Sequence, residues 1–171
     1  QQQLASAANS DVAFASSKNA GSKITPVGFT DWQLFSSALA PMVVEKGLSV
    51  VGICGSQGSG KSTLAEYLVS AISALGVSAV AVSLDDFYLT RAQRSSLAAT
   101  VHPLLQTRGV PGTHDVALLQ QVLETISTIN APEFNNAPRP PVKMNLPSFN
   151  KGMDDRNGFS DVAASVLVLE G

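Results

Sequence analysis

Gly55-Ser56-Gln57-Gly58-Ser59-Gly60-Lys61-Ser62 is a complete G-x-x-x-x-G-K-[ST] stretch, and its neighbours set how it is read. Ahead of it runs Leu48-Ser49-Val50-Val51-Gly52-Ile53-Cys54, an apolar strand candidate. Behind it, Ser62 to Leu75 follows a helical pattern with Leu64, Leu68, Ile72 and Leu75 on one face. Strand, glycine loop and helix in that order form a phosphate-binding loop: glycines let successive backbone N–H groups converge on phosphate oxygens, and the helix N-terminus adds its dipole. Gly55, Ser56, Gln57, Gly58, Ser59, Gly60, Lys61, Ser62 and the adjoining Thr63 are the nucleotide-side residues, with Lys61 reaching the β- and γ-phosphates and the Ser62 hydroxyl ligating Mg²⁺. The competing reading is a glycine-rich turn with a solvated lysine.

The 171-residue chain is long enough for one domain with a real core, and its net charge of −2 gives no basic excess for nucleic acid. Cys54 is the single cysteine, so an internal disulfide is excluded, and its apolar run suggests burial. With only His102 and His114 beside it, a zinc site is not expected. No apolar run approaches a membrane span. These features fit a cytoplasmic protein; a plastid is the alternative, although no arginine precedes Arg91. Residues 1–25 are rich in Gln, Ala, Ser and Asn and read as a polar flexible segment, leaving 26–171 as the folded domain.

Thr30 or Asp31 can cap a first helix that Pro41 ends or kinks. After the Ser62–Leu75 helix, Gly76 is a stop signal and Val77–Leu84 reads as a second strand, giving a βαβ unit with parallel strands. Thr90 can cap a short helix through Arg94 and Leu97, and Asp115 a longer one carrying Val116, Leu119, Val122, Leu123 and Ile126. Residues 131–160 are loop-rich, with five prolines from Pro132 to Pro147 and a short strand near Val142–Met144. Val162–Leu169 is a buried-strand run closed by Glu170-Gly171.

Ligands of open parallel sheets bind beyond the C-terminal ends of the strands. The second strand ends in Asp85-Asp86-Phe87-Tyr88, so a carboxylate there can orient an acceptor hydroxyl, take its proton, or hold Mg²⁺. Alternatively both acids cap a following turn, and this explains Asp86 better than Asp85. Glu170 closes the last apolar run as a second magnesium-side acid would.

Three segments together resemble the D-glycerate 3-kinase family, which groups with uridine kinase, phosphoribulokinase and pantothenate kinase. They are the glycine loop, Ser83-Leu84-Asp85-Asp86-Phe87-Tyr88-Leu89-Thr90, and His102 through Asp115 with its Arg108-Gly109-Val110-Pro111-Gly112-Thr113-His114-Asp115 core. The resemblance implies a kinase-type P-loop α/β fold with helices flanking a parallel sheet, whose third strand lies between the first two. It implies Asp85 and Lys61 as catalytic residues, Ser62, Asp85 and Glu170 around Mg²⁺, and Tyr88, Arg108, His114 and Asp115 near the acceptor. Read from the residues alone, Arg108 can clamp a carboxylate or phosphate, His114 is more readily a local cap or packing residue, and Asp115 equally an N-cap. Leu146–Arg156 is similar to a further family segment, L-P-x-F-D-K-x-x-D-D-R, with Asn150 where the family has aspartate; Lys151 there reads as solvated. The resemblance covers about residue 45 to the end, where family members continue, so the expected domain is incomplete at its C-terminus.

The expected activity is transfer of the ATP γ-phosphoryl group to a hydroxyl of a small metabolite, with D-glycerate favoured and ATP and Mg²⁺ required. The alternatives are another acceptor, such as a nucleoside or pantothenate-like molecule, or a nucleotide-binding module without catalysis.

Overall fold

The computed structural model of the protein describes residues 29–128 and 140–171, so the readings for residues 1–25 and for Pro132 and Pro138 fall outside the described residues. In chain order the elements are α1 (Phe29–Glu45), β1 (Val50–Ile53), α2 (Lys61–Ala74), β2 (Ala79–Ser83), a 3-10 turn (Leu84–Phe87), α3 (Arg91–Thr100), a second 3-10 turn (Pro103–Gln106), α4 (Val116–Ser127), β3 (Val142–Asn150), β4 (Asp155–Ala164) and β5 (Val166–Glu170).

Strands β1, β5 and β2 form a parallel sheet in that spatial order, so the last strand lies between the first two as expected. Alternate residues of β5 face opposite ways. Val166 and Val168 pack with Ala40 and Val43 of α1 and Ala65, Leu68 and Ile72 of α2. Leu167 packs with Val82, Phe87, Val122 and Ile126 of α4, and Met144 and Leu146 of β3. Burial on both faces is what a central parallel strand between two helical layers requires.

Several boundaries differ from the sequence reading. The first helix begins at Phe29, ahead of the expected caps, and continues through Pro41 because Ala40 and Val43 are buried beside it. Leu75 lies past the end of α2 and is exposed. Val116, in the first turn of α4, is exposed as well. Strand β1 is only half-buried, since β5 is its one partner among the described residues, and Cys54 beyond its end is exposed rather than buried.

The largest correction concerns residues 142–164. Prolines suggested loop, but β3 and β4 form a long antiparallel hairpin. Pro147 is accommodated where the register shifts between Pro147 and Phe149, the kind of irregularity at which a missing N–H is tolerated. The run read as one strand from Val162 is divided at Ser165: its first residues finish β4, and β5 starts at Val166. Backbone bonds from Ser165 and Val166 to the Ser78 carbonyl (2.8 and 3.0 Å) fix that corner.

Candidate active site

The parallel register sets Ile53, Glu170 and Ser83 side by side at the C-terminal edge of the sheet. The glycine loop leaves β1 at this edge and enters α2 through Gly60, whose φ of 84° belongs to the left-handed region that glycine adopts without penalty. Helix α2 has no side-chain cap and no acid in its first turn, so its positive end is left for an anion. Lys61 Nζ donates to the Ser56 carbonyl at 3.0 Å, folding its ammonium back over the loop. The indole of Trp32 packs against Gly60 from outside, its Nε1 3.4 Å from where a β-carbon would sit.

A cavity of about 460 Å³ opens above this edge, lined by Lys61 and Ser62 of α2, Glu170 of β5, and Asp85, Tyr88 and Lys151. Ser62 Oγ donates to Glu170 Oε1 at 3.1 Å, so two of the three expected magnesium-side groups already meet. This pair of hard oxygens suits Mg²⁺, which takes one or two protein oxygens and completes its shell with phosphate and water. Among the described residues no cluster of three or more His, Cys, Asp and Glu side chains offers an all-protein cage. Asp85 shares the cavity, but its carboxylate contacts Lys151.

The two acids after β2 have separate tasks. Asp86 Oδ2 accepts from the Ser83 N–H (3.4 Å) and Oδ1 from the Phe149 N–H (3.1 Å), which ties the turn to the hairpin. Asp85 points at the cavity, and its Oδ2 lies 2.7 Å from Lys151 Nζ. Burial pushes the Asp85 carboxyl up, but the Lys151 ammonium, the Tyr88 hydroxyl and His114 outweigh it and hold the group below its ordinary value. Lys151 is correspondingly raised, first by its bond to Asp85. Burial, then Asp85, raises Tyr88.

The other acceptor-side residues are placed as follows. His114 stacks on Tyr88 (centroids 4.1 Å, planes 25° apart), and its buried Nε2 has no hydrogen-bond partner. Burial lowers its pKa, partly offset by Asp85. Asp115 caps α4 by accepting from Leu118 N–H (3.1 Å) and pairs with Arg156 (2.9 Å), which also donates to the Tyr88 carbonyl. Arg108 is not among the residues lining the cavity. Its Nη1 meets Asp154 Oδ1 at 3.2 Å and the Lys151 carbonyl at 3.1 Å.

One residue of the site and one that braces the turns around it were missed in the sequence. Lys151, read as solvated, is the partner of Asp85. Arg94, read as part of a short helix, is wholly buried and donates to the carbonyls of Leu89, Gln106 and Asp154. The signal for Lys151 lay in the Leu146–Arg156 segment, whose turn the Arg94 guanidinium also holds. Asn150 Oδ1 accepts from Gly152 N–H (2.9 Å) and Met153 N–H (3.0 Å), a role a neutral oxygen fills without the family's charge.

No protein-family model matches the chain. An uncharacterized kinase, mug58, of Schizosaccharomyces pombe is 51% identical over 76 residues, 43% of this chain and 27% of that protein. The chloroplastic D-glycerate 3-kinase of Arabidopsis thaliana is 31% identical over 133 residues, 71% of this chain and 27% of that protein. The chain thus spans under a third of the length of these relatives. The solved D-glycerate 3-kinase of Cryptococcus neoformans superposes with a TM-score of 0.62 at 28% identity, over 82% of this chain and 52% of that one. The fold is that of a P-loop kinase, and the chain is similar to D-glycerate 3-kinase in sequence and structure.

Proposed function

We propose that this chain carries the phosphate-binding and acceptor-activating part of an ATP-dependent kinase for a small hydroxylated metabolite, with D-glycerate the first candidate. One observation carries this reading: Lys61, Ser62, Glu170 and Asp85, drawn from the ends of neighbouring parallel strands and one helix N-terminus, line a single cavity. The kinase relatives support the reaction class, and the two D-glycerate 3-kinases support the acceptor.

The loop amides and Lys61 hold the phosphates and stabilise charge that spreads over the transferring oxygens. Ser62 and Glu170 would hold Mg²⁺, which would supply further neutralisation of phosphate charge. Asp85 accepts the proton of the acceptor hydroxyl as its oxygen bonds to the γ-phosphorus and the bond to ADP breaks. Tyr88 lines the cavity beside Asp85 and helps keep that carboxylate ionised.

The test is ADP release with Mg²⁺ and ATP against a panel of hydroxy acids, polyols and nucleosides. Acceptor-dependent turnover with D-glycerate supports the assignment. Preference for a nucleoside replaces the acceptor, and tight nucleotide binding without any acceptor-dependent turnover leaves a binding module.

A further inference from the structure

Cations at the acceptor end of the cavity are few. Arg108 is engaged by Asp154 and the Lys151 carbonyl, and Arg156 by Asp115 and the Tyr88 carbonyl. The Nε2 of His114 is buried. Lys61 belongs to the phosphate loop, folded onto the Ser56 carbonyl. Among the described residues lining the cavity, the remaining cation is Lys151.

Lys151 is built as a fixed base with a movable head. Its carbonyl is held by Arg108, the next turn by Asn150, and the turn's far end by the buried Arg94 guanidinium. Its side chain is 64% exposed and spans the cavity to a carboxylate, that of Asp85, at 2.7 Å. An ion pair so open to water is held by little net energy. Another carboxylate can therefore take the place of Asp85 without stranding a buried charge.

We propose that Lys151 is the receptor for the carboxylate of an anionic acceptor, and that this carboxylate displaces Asp85 from the ammonium and so frees Asp85 for the acceptor hydroxyl. The inference rests on the kinase reading above and adds the charge class it selects. A neutral polyol brings nothing to exchange, so the Lys151–Asp85 pair stays closed and the proton acceptor stays occupied. The 2.7 Å between the two groups also favours a small molecule whose carboxylate and hydroxyl are a few bonds apart, as in a short hydroxy acid, over a nucleoside.

Calorimetry on the protein loaded with Mg²⁺ and ADP tests this, with D-glycerate as the probe and glycerol as its neutral counterpart. Lys151→Met should weaken D-glycerate binding by about 10- to 100-fold, the loss of one charge-assisted bond, while leaving Mg²⁺–ADP affinity unchanged and glycerol binding no weaker, since Asp85 is then unoccupied. Lys151→Arg should restore most of the loss. Asp85→Asn should bind D-glycerate more tightly than the parent, because the competing carboxylate is gone, even as turnover is lost. Unchanged D-glycerate affinity in Lys151→Met, or a loss confined to the nucleotide, overturns the receptor role. No tighter binding in Asp85→Asn overturns the displacement. Parent protein that binds Mg²⁺–ADP but no D-glycerate overturns this inference and leaves the phosphate-loop reading standing; failure to bind Mg²⁺–ADP removes both.

Discussion

Replacing Arg94 by methionine should unfold the protein far more readily than a surface arginine would. The guanidinium is fully buried and places Nε, Nη1 and Nη2 on the carbonyls of Leu89, Gln106 and Asp154 at 3.2, 2.9 and 2.7 Å. Bonds from a charged donor contribute roughly 1.5–3 kcal/mol each. Methionine fills much of the stem's volume but offers no donor, so three carbonyls lose their partner together. The Asp154 carboxylate at 3.1 Å adds little, since it is 41% exposed. Relief from burying a guanidinium offsets part of the total, and the net expected loss is about 3–5 kcal/mol. For a chain of this size that lowers Tm by roughly 10 °C. Urea unfolding followed by circular dichroism measures it; Arg94→Lys, able to reach one carbonyl at a time, should recover about a third. A loss below about 1 kcal/mol, or lysine equal to arginine, would refute the claim that this residue ties α3, the second 3-10 turn and the hairpin turn together.

Three further outcomes are expected. Lys61→Ala should weaken Mg²⁺–ATP binding by about tenfold or more, because it removes the cation aimed at the phosphates; the single tryptophan, Trp32 against Gly60, provides a fluorescence signal for the titration, and retained affinity speaks against the phosphate loop. Asp85→Asn should lower turnover by about 100-fold with nucleotide binding retained, whereas Asp86→Asn should mainly lower the melting temperature, since Asp86 holds the Ser83 and Phe149 N–H groups; the reverse ranking in steady-state kinetics exchanges their roles. Burial keeps the His114 imidazole below its ordinary 6.5 in the folded state, so the unfolded chain takes up that proton first. This contribution to stability is complete above 6.5, declines as pH falls toward the lower folded value and then levels off; His114→Phe should flatten that part of a pH series of urea midpoints, and an unchanged slope would count against the burial of a neutral ring.

The phosphate loop, the βαβ unit and the capping residues Thr90 and Asp115 were legible along the chain because each depends on residues a few positions apart. A left-handed Gly60, a helix period and a side chain accepting from the N–H three residues on are local events. The interleaved order of β1, β5 and β2 was legible only through the family resemblance. What the linear sequence left undetermined depended on partners far away in it. Prolines made 131–160 look like loop, yet Met144 and Leu146, buried against α4 and Phe87 of the first 3-10 turn, pay the ordering entropy of a hairpin. Lys151 looked solvated until folding set it beside Asp85, 66 residues earlier. Arg94 and Asp154, 60 residues apart, show the same limit. Local backbone chemistry is written in short-range pattern, whereas the charge on a cavity wall is decided by which distant segments packing brings to its rim.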